Sequence, residues 1–91
     1  MEKPLIMFKV KATQKDHDLA ENWDTWEKEE SEFPWIYNAT EICLILNGSA
    51  TVTDTQGTKL HFEKGDLVTF PKGLECRWKI HKRIEKRYTF K

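Results

Sequence analysis

From residue 33 onward, hydrophobic and polar positions alternate with a period of two, which is typical of β-strands. Turn-forming residues interrupt this part of the chain at positions 47–48, 54–57, 64–65 and 71–73, and the runs between them are five or six residues long. No interval between the runs is long enough for a crossover helix. The pattern therefore predicts an all-β sandwich or closed barrel made of short strands and tight turns.

The beginning of the chain is less regular. Residues 5–10 are mostly apolar and predict a first strand, while residues 16–22 have room for at most one short helical turn. A chain of 91 residues is long enough for one domain with a small core. We expect residues 1–22 to be an N-terminal extension that packs on the barrel and residues 23–91 to form the barrel core.

Apolar and polar residues alternate along the last predicted strands, and this alternation indicates which residues face the interior of the barrel. The apolar and aromatic members of this inner face are Cys76, Trp78, Ile80, Ile84, Tyr88 and Phe90. The same parity also turns Lys86 inward, which is unexpected for a cation. Residues 40–46 are apolar on both faces and predict a strand covered on both sides, with Glu41 and Cys43 sharing one face.

Charge and composition narrow the range of partners. Fifteen basic and fifteen acidic residues give a formal net charge of zero, which argues against binding to nucleic acid or to an anionic membrane. The N-terminus predicts neither a signal peptide nor a membrane span, and two cysteines fit a reducing compartment, so we expect a cytoplasmic protein. A homodimer is also expected, because pairing relieves the high surface-to-volume ratio of a small domain.

Four segments together resemble a known family. They are Glu41 followed by six residues and Gly48, the run Gly-Asp-Leu-Val-Thr-Phe-Pro-Lys-Gly at 65–73, Trp-Asp-Thr-Trp-Glu at 23–27, and Cys-Arg-Trp at 76–78. The chain from about residue 20 to its end resembles the cupin superfamily, and within it the minimal cupins related to the ureidoglycine aminohydrolase cupin domain. The resemblance implies a single small cupin β-barrel, which is a double-stranded β-helix or jelly roll.

The resemblance also implies where a metal would bind. In metal-dependent cupins, two histidines and a glutamate of the first motif and one histidine of the second bind a divalent metal. At the matching positions this sequence has Trp35, Tyr37, Glu41 and Cys76, so only the carboxylate is retained. We therefore expect no cofactor, and the alternative is a divalent metal held weakly by Glu41 and Cys76. The histidines lie at outward-facing or N-terminal positions: His17, His61 and His81.

Aromatic side chains are then expected to surround a single carboxylate. The predicted ligand-binding pocket comprises Trp35, Tyr37, Glu41, Cys43, Cys76, Trp78, Lys86 and Tyr88. A buried ionised carboxylate without a partner is costly, so we predict that Glu41 pairs with Lys86. Small amines or amides would suit such a pocket. The alternative is that Glu41 is a hydrogen-bonded core residue with no ligand.

Two further pairs of residues have both structural and functional interpretations. No histidine shares the parity of Cys76, so we expect Cys76 and Cys43 to be core thiols rather than nucleophiles. Trp23 and Trp26 are expected to pack against the barrel, and the alternative is a dimer contact.

Three functions follow from these features. The favoured one is a metal-free cupin that binds a small organic ligand in an aromatic pocket around Glu41. The second, implied by the resemblance, is a metal-dependent enzyme that acts on a small nitrogenous metabolite. The third is a dimeric structural or interaction module whose barrel interior is only a core. The missing histidines make the enzyme the less favoured interpretation, and no catalytic residue is assigned.

Overall fold

Strands make up most of residues 5–91, which are the residues that the computed structural model describes. The first four residues of the predicted N-terminal extension lie outside this range. The elements are β1 (Phe8–Lys11), α1 (Gln14–Ala20), β2 (Asp24–Lys28), β3 (Ser31–Ile36), β4 (Glu41–Asp54), β5 (Lys59–Glu63), β6 (Asp66–Phe70) and β7 (Glu75–Phe90). All strand pairs are antiparallel, which confirms the predicted all-β fold class.

Two long strands, β4 and β7, connect the two halves of the barrel. The first part of β4 pairs with β6 and with the end of β7, while its second part pairs with β5 and with the beginning of β7. Strands β2 and β3 extend the sheet on the other side of β7, and β1 adds to β6. The register of β4 and β7 shifts at residues 45–50, where the sheet bends.

The sequence pattern predicted a tight turn at Asn47-Gly48. In the structure these residues instead form an irregular segment inside β4. Gly48 has a φ of 89°, in the left-handed region that favours glycine. A Cβ atom at Gly48 would lie 2.0 Å from the carbonyl oxygen of Arg83 on β7. The glycine thus allows β4 and β7 to approach closely at the bend. The residues that looked like a turn in the sequence mark an irregularity in the strand pairing.

The N-terminal part packs on this framework as a short strand and a helix. Strand β1 begins at Phe8, three residues after the predicted start, and pairs with β6. Helix α1 is capped by Thr13, whose hydroxyl accepts a hydrogen bond from the Asp16 amide while the Asp16 carboxylate accepts one from the Thr13 amide. Ala20 at the end of α1 is fully buried. In residues 5–91, no helix has the length and apolar character needed to cross a membrane.

The core lies between the two halves of the barrel and is rich in aromatic rings. Tyr37 stacks on Phe70 with the ring centroids 4.8 Å apart, and Phe62 meets Trp78 edge to face at 5.3 Å. The indole nitrogen of Trp78 donates a hydrogen bond of 3.2 Å to the Tyr37 hydroxyl. Trp78 also packs against Trp26 and Phe33, and all three rings line the site described next.

Candidate ligand site

A buried ion pair lies at the centre of the site. The Lys86 ammonium donates to Oε2 of Glu41 at 2.5 Å, and the two side chains are only 6% and 5% exposed. Strand parity alone predicted this pair, and the structure confirms it. Both groups are excluded from water, so their attraction is weakly screened, and removal of either would leave an uncompensated charge in the interior.

Aromatic rings surround the ammonium on the sides that Glu41 does not occupy. The Lys86 nitrogen lies 4.8 Å from the ring centroid of Trp26, 4.9 Å from that of Trp78 and 5.6 Å from that of Tyr88. The register of β2 on β7 places Trp26 directly opposite Lys86, which explains the first of these contacts. The negative faces of the rings stabilise the cation further in this dry environment.

A cavity of about 160 Å³ lies beside the Lys86 side chain and the rings that surround it. Its lining residues come from β2, β3 and β7: Trp26, Phe33, Trp35, Trp78, Lys86, Tyr88 and Phe90. Lys86 is the one charged side chain among them. The walls are otherwise aromatic, as in most small-molecule sites, in which a few polar groups set the orientation of the ligand.

The eight residues predicted for the pocket fall into two groups. Four of them line the cavity: Trp35, Trp78, Lys86 and Tyr88. The other four lie outside its wall: Tyr37, Glu41, Cys43 and Cys76. Trp35 is at the rim and is 49% exposed, because β3 ends there, and it also borders a shallow outer groove together with Cys76. The Glu41 carboxylate therefore contacts Lys86 without itself lining the cavity.

The two cysteines have the character of core thiols. Burial raises the pKa of Cys43 to about 12, and the neighbouring Glu41 carboxylate adds to this effect against the opposing influence of Lys86. Burial also raises the pKa of Cys76 to about 11, helped by Asp54. A thiol with such a pKa is neutral at physiological pH and is a poor nucleophile, in line with the sequence-based expectation.

A divalent metal does not fit this set of side chains. Trp35 and Tyr37 have no imidazole to offer, and the Glu41 carboxylate is engaged by an ammonium group at 2.5 Å. Cys76 has a raised pKa and places its thiol 3.6 Å from the carbonyl oxygen of Trp35. Within residues 5–91, no three His, Cys, Asp or Glu side chains are grouped so that they could hold a metal ion.

Three residues of the cavity were not among those predicted. Phe33 stacks on Trp78 with nearly parallel rings 6.0 Å apart, and Trp26 meets Trp78 edge to face at the same distance. Phe90 completes the rim. A signal for Trp26 was present, since it is the single apolar residue of β2. Its parity alone could not reveal that β2 pairs with the lysine end of β7.

The comparisons with known proteins agree with this fold. Residues 16–88 match the model of the EutQ-like cupin domain. The chain belongs to this family. A DUF861 family protein from Thermotoga maritima, known from a crystal structure, is 48% identical in sequence to this chain. The two structures match with a TM-score of 0.91, and the match covers 94% of this chain and 100% of the other. A search of curated proteins gave no match.

More distant structures confirm the cupin fold. The EutQ protein of Clostridium difficile is 25% identical with a TM-score of 0.65, and the match covers 70% of this cupin but only 50% of EutQ. A cupin superfamily protein from Desulfitobacterium hafniense is 14% identical with a TM-score of 0.61, over 99% of this chain and 83% of that one. The cupin superfamily is thus confirmed, whereas the narrower resemblance to the ureidoglycine aminohydrolase domain stays a prediction.

Proposed function

We propose that this cupin binds a small organic molecule in its aromatic cavity without a metal, and that the ligand is anchored through a hydrogen-bond acceptor. One observation carries the proposal: Lys86 is the charged residue that lines the cavity, while its partner Glu41 is not part of the lining. The polar anchor is therefore a donor. The proposal accounts for the aromatic lining and for the retained carboxylate, which neutralises the lysine.

The polarity of the site selects the ligand. An ammonium presents N–H groups and no acceptor, so a carbonyl or carboxylate oxygen is its natural partner. Small amines, which the sequence suggested as ligands of a pocket centred on Glu41, would instead meet a like charge. Amides remain suitable, because their carbonyl oxygen accepts a hydrogen bond. The rings of Trp26 and Trp78 would contact the apolar part of the ligand.

The size of the cavity limits the ligand. A volume of about 160 Å³ is below the roughly 300 Å³ at which ordinary drug-sized sites begin. A ligand of about five non-hydrogen atoms gains at most roughly 7 kcal/mol of binding free energy, since the ceiling is about 1.5 kcal/mol per atom. We therefore expect dissociation constants between the micromolar and the millimolar range for minimal probes.

Three probes of nearly equal size test the selectivity: propionate, propionamide and propylamine. Titrations followed by the indole N–H signals of Trp26 and Trp78 in NMR spectra should show binding of the first two and none of the third. Arg83→Met, which changes a cation on the outer face of the barrel, is the matched control and should bind propionate and propionamide but not propylamine, as the parent does. Preferred binding of propylamine, or no binding of any probe, would overturn the proposal.

Metal analysis separates this proposal from the enzyme suggested by the aminohydrolase resemblance. Purified protein incubated with manganese, iron, nickel or zinc and then desalted should retain less than stoichiometric metal, because Glu41 is already paired with Lys86. Retention of one equivalent that is lost in Glu41→Gln would overturn the metal-free reading. A control with Glu85→Gln distinguishes the interior carboxylate from one on the surface.

A further inference from the structure

The position of Lys86 combines two properties of a nucleophilic amine. Its side chain lines a cavity large enough for a small molecule, yet that side chain is only 6% exposed. Lysines that form covalent adducts with carbonyl compounds are typically desolvated in apolar pockets of this kind. Surface lysines such as Lys82 have the same amine in water, with no surrounding walls.

A free electron pair on this nitrogen requires a place for its proton, and Glu41 provides one. Its Oε2 atom is 2.5 Å from the Lys86 nitrogen, within direct transfer distance. Transfer converts a buried ion pair into a neutral amine and a neutral carboxylic acid. An interior that disfavours separated charges reduces the cost of this exchange relative to water.

From this arrangement we infer that Lys86 forms a Schiff base with a small aldehyde or ketone bound in the cavity, an inference that rests on the proposed function. Glu41 accepts a proton from the ammonium, and the amine forms a C–N bond to the carbonyl carbon while one of its remaining protons passes to the carbonyl oxygen, which gives a neutral carbinolamine. Glu41, next to the Lys86 nitrogen, then returns its proton to the hydroxyl group on the adjoining carbon, and the C–O bond breaks to release water. The sum is one ammonium and one carbonyl compound converted into one iminium ion and one water.

The surroundings suit the product as well as the reactants. The iminium ion keeps the positive charge of the ammonium, so the ion pair with Glu41 is restored at the end of the reaction. The ring faces of Trp26 and Trp78, 4.8 and 4.9 Å from the lysine nitrogen, stabilise a cation at this position. The same rings restrict the access of water that would hydrolyse the adduct.

Reductive trapping tests the inference. The full-length protein is incubated with propionaldehyde and sodium cyanoborohydride, and tryptic peptides are analysed by mass spectrometry for one added propyl group. We expect Lys86 to be labelled about a hundredfold faster than exposed Lys82, because Lys86 has a proton acceptor in direct contact with its nitrogen. Glu41→Gln should remove this advantage while it leaves the labelling of Lys82 unchanged.

Propionate provides a second readout that does not depend on the variants being folded. It should protect Lys86 in the parent protein and leave Lys82 reactive. Labelling of Lys86 no faster than Lys82 in a protein that binds propionate would overturn the Schiff base and leave the proposed function standing. The absence of both propionate binding and selective labelling would overturn both.

Discussion

Two of the cations on strand β7, Arg83 and Lys86, lie three residues apart in opposite environments. Arg83 faces solvent and is paired with three carboxylates, Glu27, Glu29 and Glu85, at 2.6 to 3.0 Å. Lys86 faces the interior and is paired with Glu41 alone. The outer cluster has more ion pairs, but its members are exposed, so water and salt screen them. Position in the barrel, rather than the number of partners, gives the single pair its structural and chemical importance.

The largest difference between the two regions is expected in stability. Lys86→Met should lower the free energy of unfolding by about 3 to 5 kcal/mol, because it leaves the buried Glu41 carboxylate without a partner. Arg83→Met should leave the urea midpoint almost unchanged, since its carboxylates are hydrated. Equal losses in the two variants would contradict the comparison.

A double variant sharpens this prediction. Replacement of both members of the buried pair, Glu41→Leu with Lys86→Met, should restore most of the stability lost in the single variant, because no buried charge remains. The same variant should fail to bind propionate. Recovered stability together with retained binding would show that the pair is not the ligand anchor.

Alkaline pH should reduce the stability that the interior contributes, whereas it should leave the charges of the outer cluster unchanged. The unfolded chain ionises Cys43 near its ordinary pKa of 9.0, whereas burial raises the pKa in the folded protein to about 12. The stabilisation that comes from keeping this thiol neutral is therefore fully present below pH 9, and it is lost as the pH rises toward 12. The thermal midpoint of the parent should fall more steeply than that of Cys43→Ala over this interval.

Three groups set the baseline for this measurement. Burial also raises the pKa of Tyr37 and that of Cys76, so a remaining alkaline slope is expected in Cys43→Ala. The carboxylate of Glu85 raises the pKa of Arg83, so the outer cluster keeps its charge throughout. Parallel curves for the parent and Cys43→Ala would show that this thiol is not held neutral by the fold.

A smaller effect is expected from the rings around the ammonium. Trp26→Leu removes one of the ring faces, and we expect the loss of that cation–π contact to cost about 1 to 2 kcal/mol, in addition to lost packing. Lys28 lies 5.0 Å from the ring of Phe33, but at an exposed position of β2, and Lys28→Met is the control with a smaller expected loss. Urea unfolding of both variants measures the difference.

The smallest effect concerns salt. Raising the ionic strength should erase the small difference between Arg83→Met and the parent, because the exposed pairs are screened. The difference between Lys86→Met and the parent should persist. A salt-dependent loss for Lys86→Met would indicate that water reaches the buried pair.

Rules that use only the local sequence were sufficient to predict part of the candidate site. The inward parity of Lys86 and the desolvation argument predicted its pair with Glu41, because both depend only on the two-residue period and on charge. The turn predicted at Asn47-Gly48 was wrong, since the approach of β7 to Gly48 is a tertiary constraint. The lining role of Trp26 was likewise hidden, because it depends on how β2 pairs with β7.

The crystal structure of the protein soaked with propionate tests the central claim most directly. We predict a carboxylate oxygen at about 2.8 Å from the Lys86 nitrogen, the length of a charge-assisted hydrogen bond, with the ethyl group against Trp26 and Trp78. Glu41 should remain paired with Lys86 behind the ligand. Propionate bound away from Lys86, or a metal ion on Glu41 in place of the ammonium, would contradict the account.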